Sequence, residues 1–459
     1  MSKLGNYISV QNGYAFKSKD FIKNLSGMPV IKIGNVTGGS FIDLSSYDTI
    51  SEEIARKVKS FQTRDGDILI AMTGANVGKV SRIAKGTQPC LINQRVGRFI
   101  LKEDCPYSSD FIYYLVSSNK SFQYFSNTAD GAAQPNISGK LIEDLEFPDI
   151  SPKSANKAGK HLKVLDEKIQ LNTQINQTLE QIAQALFKSW FVDFDPVRAK
   201  VQALSDGLSL EQSELAAMQT ISGKTPEELT ALSQTQPDRY AELAETAKAF
   251  PYEMVEVDGV EVPKGWEIKP LPEIIDFLEG PGIRNWQYTD EEDGIKFINI
   301  RCIQNGDLTL TTANKITKEE AFGKYKHFQL EEDDIVVSTS GTLGRFAFVR
   351  KEHLPLSLNT SVIRLRPIKN KSTLGFIAGF VENQLQHELE IRASGSAQRN
   401  FGPTHLKQIS LLLPDFKLLE LHQKYASSLF EKRKQLLSEI DVLKDTRDLL
   451  LPKLLNGEI

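Results

Sequence analysis

The chain has 459 residues, 40% of them apolar and 25% charged, with a formal net charge of −4, which is the balance of water-soluble globular domains and enough length for two to four of them. No run nears the roughly 18 apolar residues that cross a bilayer, Met1-Ser-Lys-Leu-Gly-Asn6 lacks the regions of a signal peptide, and Cys90, Cys105 and Cys302 lie too far apart for a disulfide framework or zinc cluster. A cytoplasmic chain without membrane contact is expected. The six histidines, His161, His327, His353, His387, His405 and His422, form no ligand-spaced pair, so no metal site is expected either.

In chain order, residues 1–150 carry short apolar runs divided by Gly, Asn, Asp and Ser. Residues 30–33, 67–71 and 96–101 are predicted strands and residues 108–118 a helix, which together make a mixed α/β globule. From Ser151 to Pro196 the sequence becomes polar and helix-favouring, with a seven-residue beat. Leu165, Asn172, Leu179 and Leu186 form one ladder, and Ile169, Asn176, Ala183 and Trp190 fill the positions between. That helix must stop before Pro196.

Residues 197–262 form an acidic insertion rich in helix formers. Between Lys200 and Val262 there are 12 acidic and 4 basic residues, a net of −8, so the rest of the chain carries +4. A mildly basic body with its acid set apart leaves DNA binding open. A second globule follows at 263–415, with a predicted helix at 373–386. Residues 416–459 close the chain with a second heptad helix. Its ladders are Leu429, Leu436, Leu443 and Leu450, and Arg433, Ile440, Arg447 and Leu454, and it bends or ends near Pro452.

The chain is written twice. Leu4-Gly-Asn-Tyr-Ile8 matches Leu271-Pro-Glu-Ile-Ile275, and Val30-Ile-Lys-Ile33 matches Phe297-Ile-Asn-Ile300, both 267 residues apart. Asp67-Ile-Leu-Ile-Ala-Met-Thr-Gly74 matches Asp334-Ile-Val-Val-Ser-Thr-Ser-Gly341 at the same offset. Gly131-Ala-Ala-Gln-Pro-Asn136 then matches Gly395-Ser-Ala-Gln-Arg-Asn400 at 264, as do the two helical ladders. Order and register survive the whole half, which chance does not do. The fold class expected is therefore two homologous α/β (mixed α+β) domains separated by an antiparallel coiled coil. A pseudo-two-fold axis relates the two long helices, each about 28 residues and roughly 40 Å long.

The stretch Thr73-Gly-Ala-Asn-Val-Gly-Lys-Val80 invites a nucleotide-binding reading, which its details defeat. Gly74 and Gly78 are one residue too close, and Val80 stands where a magnesium-coordinating Ser or Thr is needed. The second copy, Ser338-Thr-Ser-Gly-Thr-Leu-Gly-Arg345, is shorter still. What the duplication keeps is a tight turn after a strand, with hydroxyls and one cation, suited to a strand reversal or a DNA phosphate. Other enzyme signatures fail similarly. No Pro-Pro pair is present for an amino-methyltransferase motif. Phe277-Leu-Glu-Gly-Pro-Gly282 loosely resembles a methyl-donor loop, but its counterpart Val10-Gln-Asn-Gly13 does not. The nuclease-like set Asp149, Asp166 and Lys168 is not repeated, since Asp166 becomes Phe430. No catalytic residue, cofactor or metal ligand is assigned.

The run Phe187-Lys-Ser-Trp-Phe-Val-Asp-Phe-Asp-Pro196, preceded by Leu171-Asn-Thr-Gln-Ile-Asn-Gln-Thr-Leu179, closely resembles the central conserved helix of specificity subunits from type I restriction–modification systems. The stretches 131–137 and 73–79, Val262-Pro-Lys-Gly-Trp266 and Leu450-Leu-Pro-Lys-Leu-Leu-Asn-Gly457 resemble that family too, so the likeness spans nearly the whole chain. The resemblance implies a non-catalytic DNA-binding subunit in which each head is a target-recognition domain reading one half of a bipartite duplex site. It implies that the helices set the spacer and dock two methyltransferase subunits, with motor-nuclease subunits completing the complex. S-adenosylmethionine, ATP and magnesium are then expected on those partners. The alternatives are a coiled-coil adaptor that binds proteins only, or the specificity subunit of a related type II-like methyltransferase-nuclease. The acidic insertion departs from the resemblance and has no assigned role.

The duplication also sorts residues. Positions alike in both heads cannot distinguish two half-sites, so Gly74/Gly341, Gly78/Gly344, Asn93/Asn359, Gln134/Gln398 and Asn136/Asn400 are expected to be scaffold or phosphate contacts, along with Thr73, Lys79, Ser340 and Arg345. Base reading is expected where matching loops differ. Those positions are Gln94-Arg95 against Thr360-Ser361, Pro135 against Arg399, Asn76 against Thr342-Leu343, and Lys17-Ser18 against Arg284-Asn285. Leu165, Ile169, Leu179, Leu186, Leu429, Leu436, Leu443 and Leu450 are expected to pair the helices. Trp190, Phe191 and Phe194 are candidates for core packing or for docking a partner.

Overall fold

The computed structural model describes residues 2–22, 26–129, 135–304, 306–341, 343–392 and 401–458. They divide into two compact units, residues 1–173 with 439–459, and residues 174–438.

Unit 1 contains a head built on two small sheets. In the first, Val96–Leu101 pairs antiparallel with both Ile8–Asn12 and Ile68–Ala71, and Ile68–Ala71 pairs on with Val80–Arg82. In the second, Met28–Ile31 lies antiparallel to Asp48–Ile50 and parallel to Leu91–Ile92. The strand Ile68–Ala71 is buried at every residue, because sheet neighbours and helices cover both its faces. That is why it reads as a continuous apolar run rather than an alternating one. The helix Ser109–Ser117, capped by the Ser108 hydroxyl, covers the first sheet with Phe111, Ile112 and Leu115.

The head of unit 2 repeats this plan. Val362–Pro367 pairs antiparallel with Ile275–Glu279 and Ile335–Ser338, which pairs with Phe346–Phe348. Ile295–Ile298 lies parallel to Leu356–Leu358. The helix Leu374–Asn383 takes its cap from Thr373 as its counterpart does from Ser108.

Two helices of 40 residues each, Pro152–Phe191 and Phe416–Leu455, are longer than the heptad ladders predict. The ladder counts only the core-facing repeat, while the first turns of each helix pack under a head through Ala155, Ala158, Leu162, Leu418 and Leu419. Pro452 lies inside the last turn of the second helix, so the hydrogen bond it cannot make is followed only by the short stretch to Leu455. Within unit 1 the helices run antiparallel: Asp166 meets Arg447, and Lys168 pairs with Glu439. Within unit 2 they do so again, with Glu180 beside Arg433 and Trp190 against His422 and Tyr425.

The seam differs in detail from the predicted ladder. Asn172, Asn176, Ala183, Trp190, Arg433, Leu436, Ile440 and Leu454 are buried in it as expected. Of the residues expected to pair the helices only Leu436 is buried; Leu165, Ile169, Leu179, Leu186, Leu429, Leu443 and Leu450 are half-buried, and beside three of them Asp166, Phe187 and Phe430 take the interior. Each unit holds a seam wide enough for the head to share, so the inward stripe is broader than a strict two-in-seven pattern.

Two buried charge clusters hold the long helices to their heads. Asp166, 1% exposed, accepts from Tyr114 Oη at 2.7 Å, Arg82 Nη2 at 2.8 Å, Arg447 Nη1 at 2.9 Å and Ser40 Oγ at 3.1 Å. One carboxylate thus ties a strand, a head helix and a loop to both long helices of unit 1. In unit 2, Arg433 lies over the Phe430 ring and pairs with Glu382 at 2.9 Å. Burial pushes that carboxyl up to about 7 against the pull of the arginine.

At the other end of the unit 2 seam, His422 is enclosed by Phe187, Trp190 and Phe191. Burial lowers its pKa to about 3. The ordinary value is near 6.5, so between the two the unfolded chain binds a proton that the folded chain refuses. The stability this neutral imidazole contributes is complete above pH 6.5 and is lost as pH falls toward 3.

Two predictions follow these charges. Asp166→Asn removes the carboxylate shared by buried Arg82 and half-buried Arg447, leaving them Asp110 at 3.5 Å and Asp448 at 2.8 Å, and is expected to lower stability by about 3 kcal/mol in denaturant titrations. His422→Leu is expected to flatten the acid side of the stability profile, so that the loss between pH 7 and pH 5 shrinks by about 2 kcal/mol relative to the unsubstituted chain.

Candidate nucleic-acid interface

In each unit, loops from separate parts of the sequence are laced together by backbone hydrogen bonds, and the lacing is the same in both. In unit 1 the Gln94 amide donates to the Tyr14 carbonyl at 2.9 Å, the Met72 amide to Arg95 at 2.9 Å, and the Ile137 amide to Met72 at 2.9 Å. In unit 2 the matching amides are Thr360 to Pro281, Thr339 to Ser361, and Phe401 to Thr339, each again at 2.9 Å. The loop after the first strand, the glycine turn, the loop near residue 94 or 360 and the segment near 136 or 401 therefore meet at one edge of each head. Sequence separation between them reaches over a hundred residues.

Glycine makes the lacing possible. Gly74 and Gly78 have φ of 74° and 83°, and Gly341 and Gly344 of 67° and 76°. These left-handed conformations turn the chain back after its strand. Gly13 and Gly280 matter for a different reason. A Cβ at Gly13 would stand 2.2 Å from the Asn93 carbonyl oxygen, and one at Gly280 would stand 2.1 Å from that of Asn359. The sequence already aligns these two glycines at 267, but only the coordinates reveal them as the point where two loops touch.

The candidate residues fall into distinct groups. Lys17, Ser18, Gln94, Arg95 and Asn136 are exposed at the edge of unit 1, and Arg284, Asn285, Arg345 and Thr360 at the edge of unit 2. Thr73 lies opposite Asn136, half-buried, and Ser340 is also half-buried. Three polar side chains are turned to internal work instead. Asn76 donates to the Ile33 carbonyl at 3.0 Å and accepts from Lys79 Nζ at 2.9 Å, so the two side chains brace the glycine turn. Asn359 is 6% exposed and its Oδ1 accepts from the Ile283 amide at 3.0 Å, fixing the facing loop. Asn76, expected to read bases, is engaged in bracing the turn. Asn93, its backbone amide bonded to Ile31, stays half-buried. Gln134, Thr342, Gln398, Arg399 and Asn400 lie outside the described residues.

Of the two readings of the aromatic cluster, core packing is the one the structure shows, and docking a partner is not. Trp190, Phe191 and Phe194 are 1%, 5% and 9% exposed, packed against Phe250, Phe376, Trp266 and His422. A partner has no surface to grip there. They hold the unit 2 helices to their head.

Asp166 has both oxygens engaged in the cluster described above, and Lys168 pairs with Glu439. Among the described residues no group of three His, Cys, Asp or Glu is placed to hold a metal ion, and no helix is long and apolar enough to cross a membrane. A groove of about 1320 Å³ in unit 1, bordered by Tyr7, Tyr107, Tyr124, Phe147, Leu451 and Leu455, contains none of the candidate DNA-contacting residues.

Two duplicated heads, identical in frame and different in their exposed loop side chains, define a class of protein built to recognise something twice. The model of the type I restriction–modification DNA specificity domain matches residues 1–181 and again 263–435. The chain belongs to that family. The HindI specificity subunit of Haemophilus influenzae is 44% identical over 360 residues, covering 76% of this chain and 77% of that protein. The MjaIX specificity subunit of Methanocaldococcus jannaschii is 24% identical over 453 residues, 94% and 89% of the two chains. A solved S subunit of a type I restriction–modification system from M. genitalium shares the fold with a TM-score of 0.53 and 16% identity, over 98% of this chain and 94% of that one.

Because Gly13 and Gly280 face backbone rather than a yielding side chain, Gly13→Ala and Gly280→Ala are each expected to cost about 1–3 kcal/mol. Domain-resolved hydrogen exchange is expected to show the loosening confined to the loops of the substituted head.

Proposed function

We propose that this chain is the non-catalytic reading subunit of a type I restriction–modification complex. Each head contacts one half of a bipartite site in double-stranded DNA, and the long helices hold the two half-sites at a fixed separation. The observation that carries this reading is the common loop frame bearing unlike side chains. Gln94 and Arg95 stand where the second head has Thr360 and Ser361, and Lys17 and Ser18 where it has Arg284 and Asn285. Arginine, asparagine and glutamine reach guanine and adenine edges with paired hydrogen bonds, while hydroxyls and lysines grip phosphate. Two short readings joined through one chain multiply selectivity that neither head has alone.

The helices support a partner role as well. Val164, Leu171, Ile175 and Ile182, spaced seven, four and seven residues apart on the first long helix, are 36–55% exposed. Val442 and Leu449, seven apart on the second, are 64% and 66% exposed. An apolar heptad stripe left in water beside an occupied seam suits further helices. We assign this stripe to two methyltransferase subunits, which would bring S-adenosylmethionine and the adenine-methylating chemistry. Motor-nuclease subunits using ATP and magnesium would complete the complex.

The test is methylation mapping in cells that express the chain with its methyltransferase partner. One motif is expected, in two short defined blocks separated by an unread gap of constant length. A single uninterrupted motif would overturn the two-head reading.

A further inference from the structure

Both heads present the same small turn at the candidate interface, with a different residue at its apex. In unit 1 the turn is Ser18–Asp20, closed by the Lys17 amide donating to Asp20 Oδ2 at 2.8 Å. In unit 2 it is Asn285–Gln287, closed by the Arg284 amide donating to Gln287 Oε1 at 3.1 Å. The two are 267 residues apart, the offset of the repeat around them, so Lys19 and Trp286 occupy the same place. Lys19 is exposed. Trp286 is 78% exposed, the highest value for any large apolar side chain among the described residues.

Such exposure does not come from a loose loop. The next residue, Gln287, is 6% exposed and donates to Tyr325 Oη at 2.8 Å and to Glu320 Oε1 at 2.9 Å. On the near side, the Ile283 amide is held by Asn359 and the Pro281 carbonyl by Thr360. The indole is therefore held outward on an anchored turn, beside exposed Arg284 and Asn285. The acidic run from Asp290 to Asp293 follows, with Asp293 paired to Lys318. Keeping an indole in water is costly, and a fold that pins its neighbour on each side while leaving the ring outside has a contact in store for it.

We infer that Lys19 and Trp286 are matched DNA-contacting residues, Lys19 positioning the first head on its half-site and Trp286 helping the second head read its own. Trp286 lays its ring against the base edges of the second half-site, where a thymine methyl offers an apolar surface. Lys19 supplies a phosphate contact at the same position on the first. This rests on the DNA-reading function proposed above and adds two residues to it.

The test uses the full chain in complex with its methyltransferase subunit, and duplexes carrying the mapped site with either half scrambled. Trp286→Ala is expected to weaken binding about tenfold or more when the second half-site is intact, and to change nothing when that half is scrambled. Trp286→Phe is expected to retain most of the affinity. Lys19→Ala is expected to lower affinity uniformly and to reduce the salt slope by about one. The acrylamide quenching that distinguishes the unsubstituted complex from the Trp286→Phe complex is expected to disappear on adding duplex. If duplex binds specifically while Trp286→Ala keeps full affinity and the indole stays open to quencher, this inference is overturned and the DNA reading stands. If the methyltransferase subunit alone shields the indole, Trp286 is a protein contact and the inference is likewise overturned. If no duplex is bound specifically, the reading beneath it is overturned too.

Discussion

A carboxylate lies on the inward side of a long helix at Asp166, where an unpaired charge would be far too costly to keep. It is kept because Arg82, Tyr114, Ser40 and Arg447 converge on it from four other elements of unit 1. The arrangement is geometrically demanding. Moving the head against the helices by a fraction of an ångström would break several charge-assisted bonds together. The laced loops are attached to that head through Ile68–Ala71 and Val80–Arg82, the strand pair on either side of the glycine turn. The position of the laced edge therefore depends on a cluster at the opposite end of the same short strand.

Unit 2 reaches the same docking with other chemistry. Phe430 occupies the repeat position of Asp166, and it packs against Phe348 while Arg433 lies over both rings and pairs with Glu382. The neighbouring seam is filled by Phe187, Trp190 and Phe191 around a neutral His422. The architecture survived duplication and its interior was rebuilt. Conserved backbone lacing with a replaced interior and replaced loop side chains is what two heads with different targets require, since the frame must hold still while its surface changes.

The acidic insertion has its own place in this account. Its helices Asp195–Ser205, Leu210–Ser222, Pro226–Thr235 and Pro237–Ala249 surround a small core of Ala217, Met218, Leu229, Leu243 and Ala247. Glu245 and Glu242 pair with Lys417 and Lys424 on the second long helix. Lys200 is buried, with Nζ donating to the Phe250 carbonyl at 2.6 Å and lying over the Tyr252 ring, and desolvation lowers its pKa to about 8. The insertion is thus a helical brace on one flank of the unit 2 helices, and part of its acidity is answered by the lysines it covers.

Much of this was legible in the residues alone, because repetition and periodicity are properties of a chain. The constant offset gave two heads, the heptad beat gave two long helices, and unlike residues at matching loop positions gave the candidate edge. The turn at Gly74 was readable as a turn and not a nucleotide loop, since its second copy loses the spacing that phosphate binding needs. Tertiary structure decided the rest. Leu165 and Asp166 differ by one place, and only packing shows that the charged residue faces inward, because its partners come from residues 40, 82, 114 and 447. Asn76 looks like a base reader by type, yet its amide donates to the Ile33 carbonyl, 43 residues away, and accepts from Lys79, while Asn359, expected as scaffold, holds the Ile283 amide. The outward ring of Trp286 is decided by a buried Gln287 whose partners lie more than thirty residues away. Local pattern fixes which elements form, while the direction a polar or aromatic side chain takes depends on groups that sequence order keeps apart.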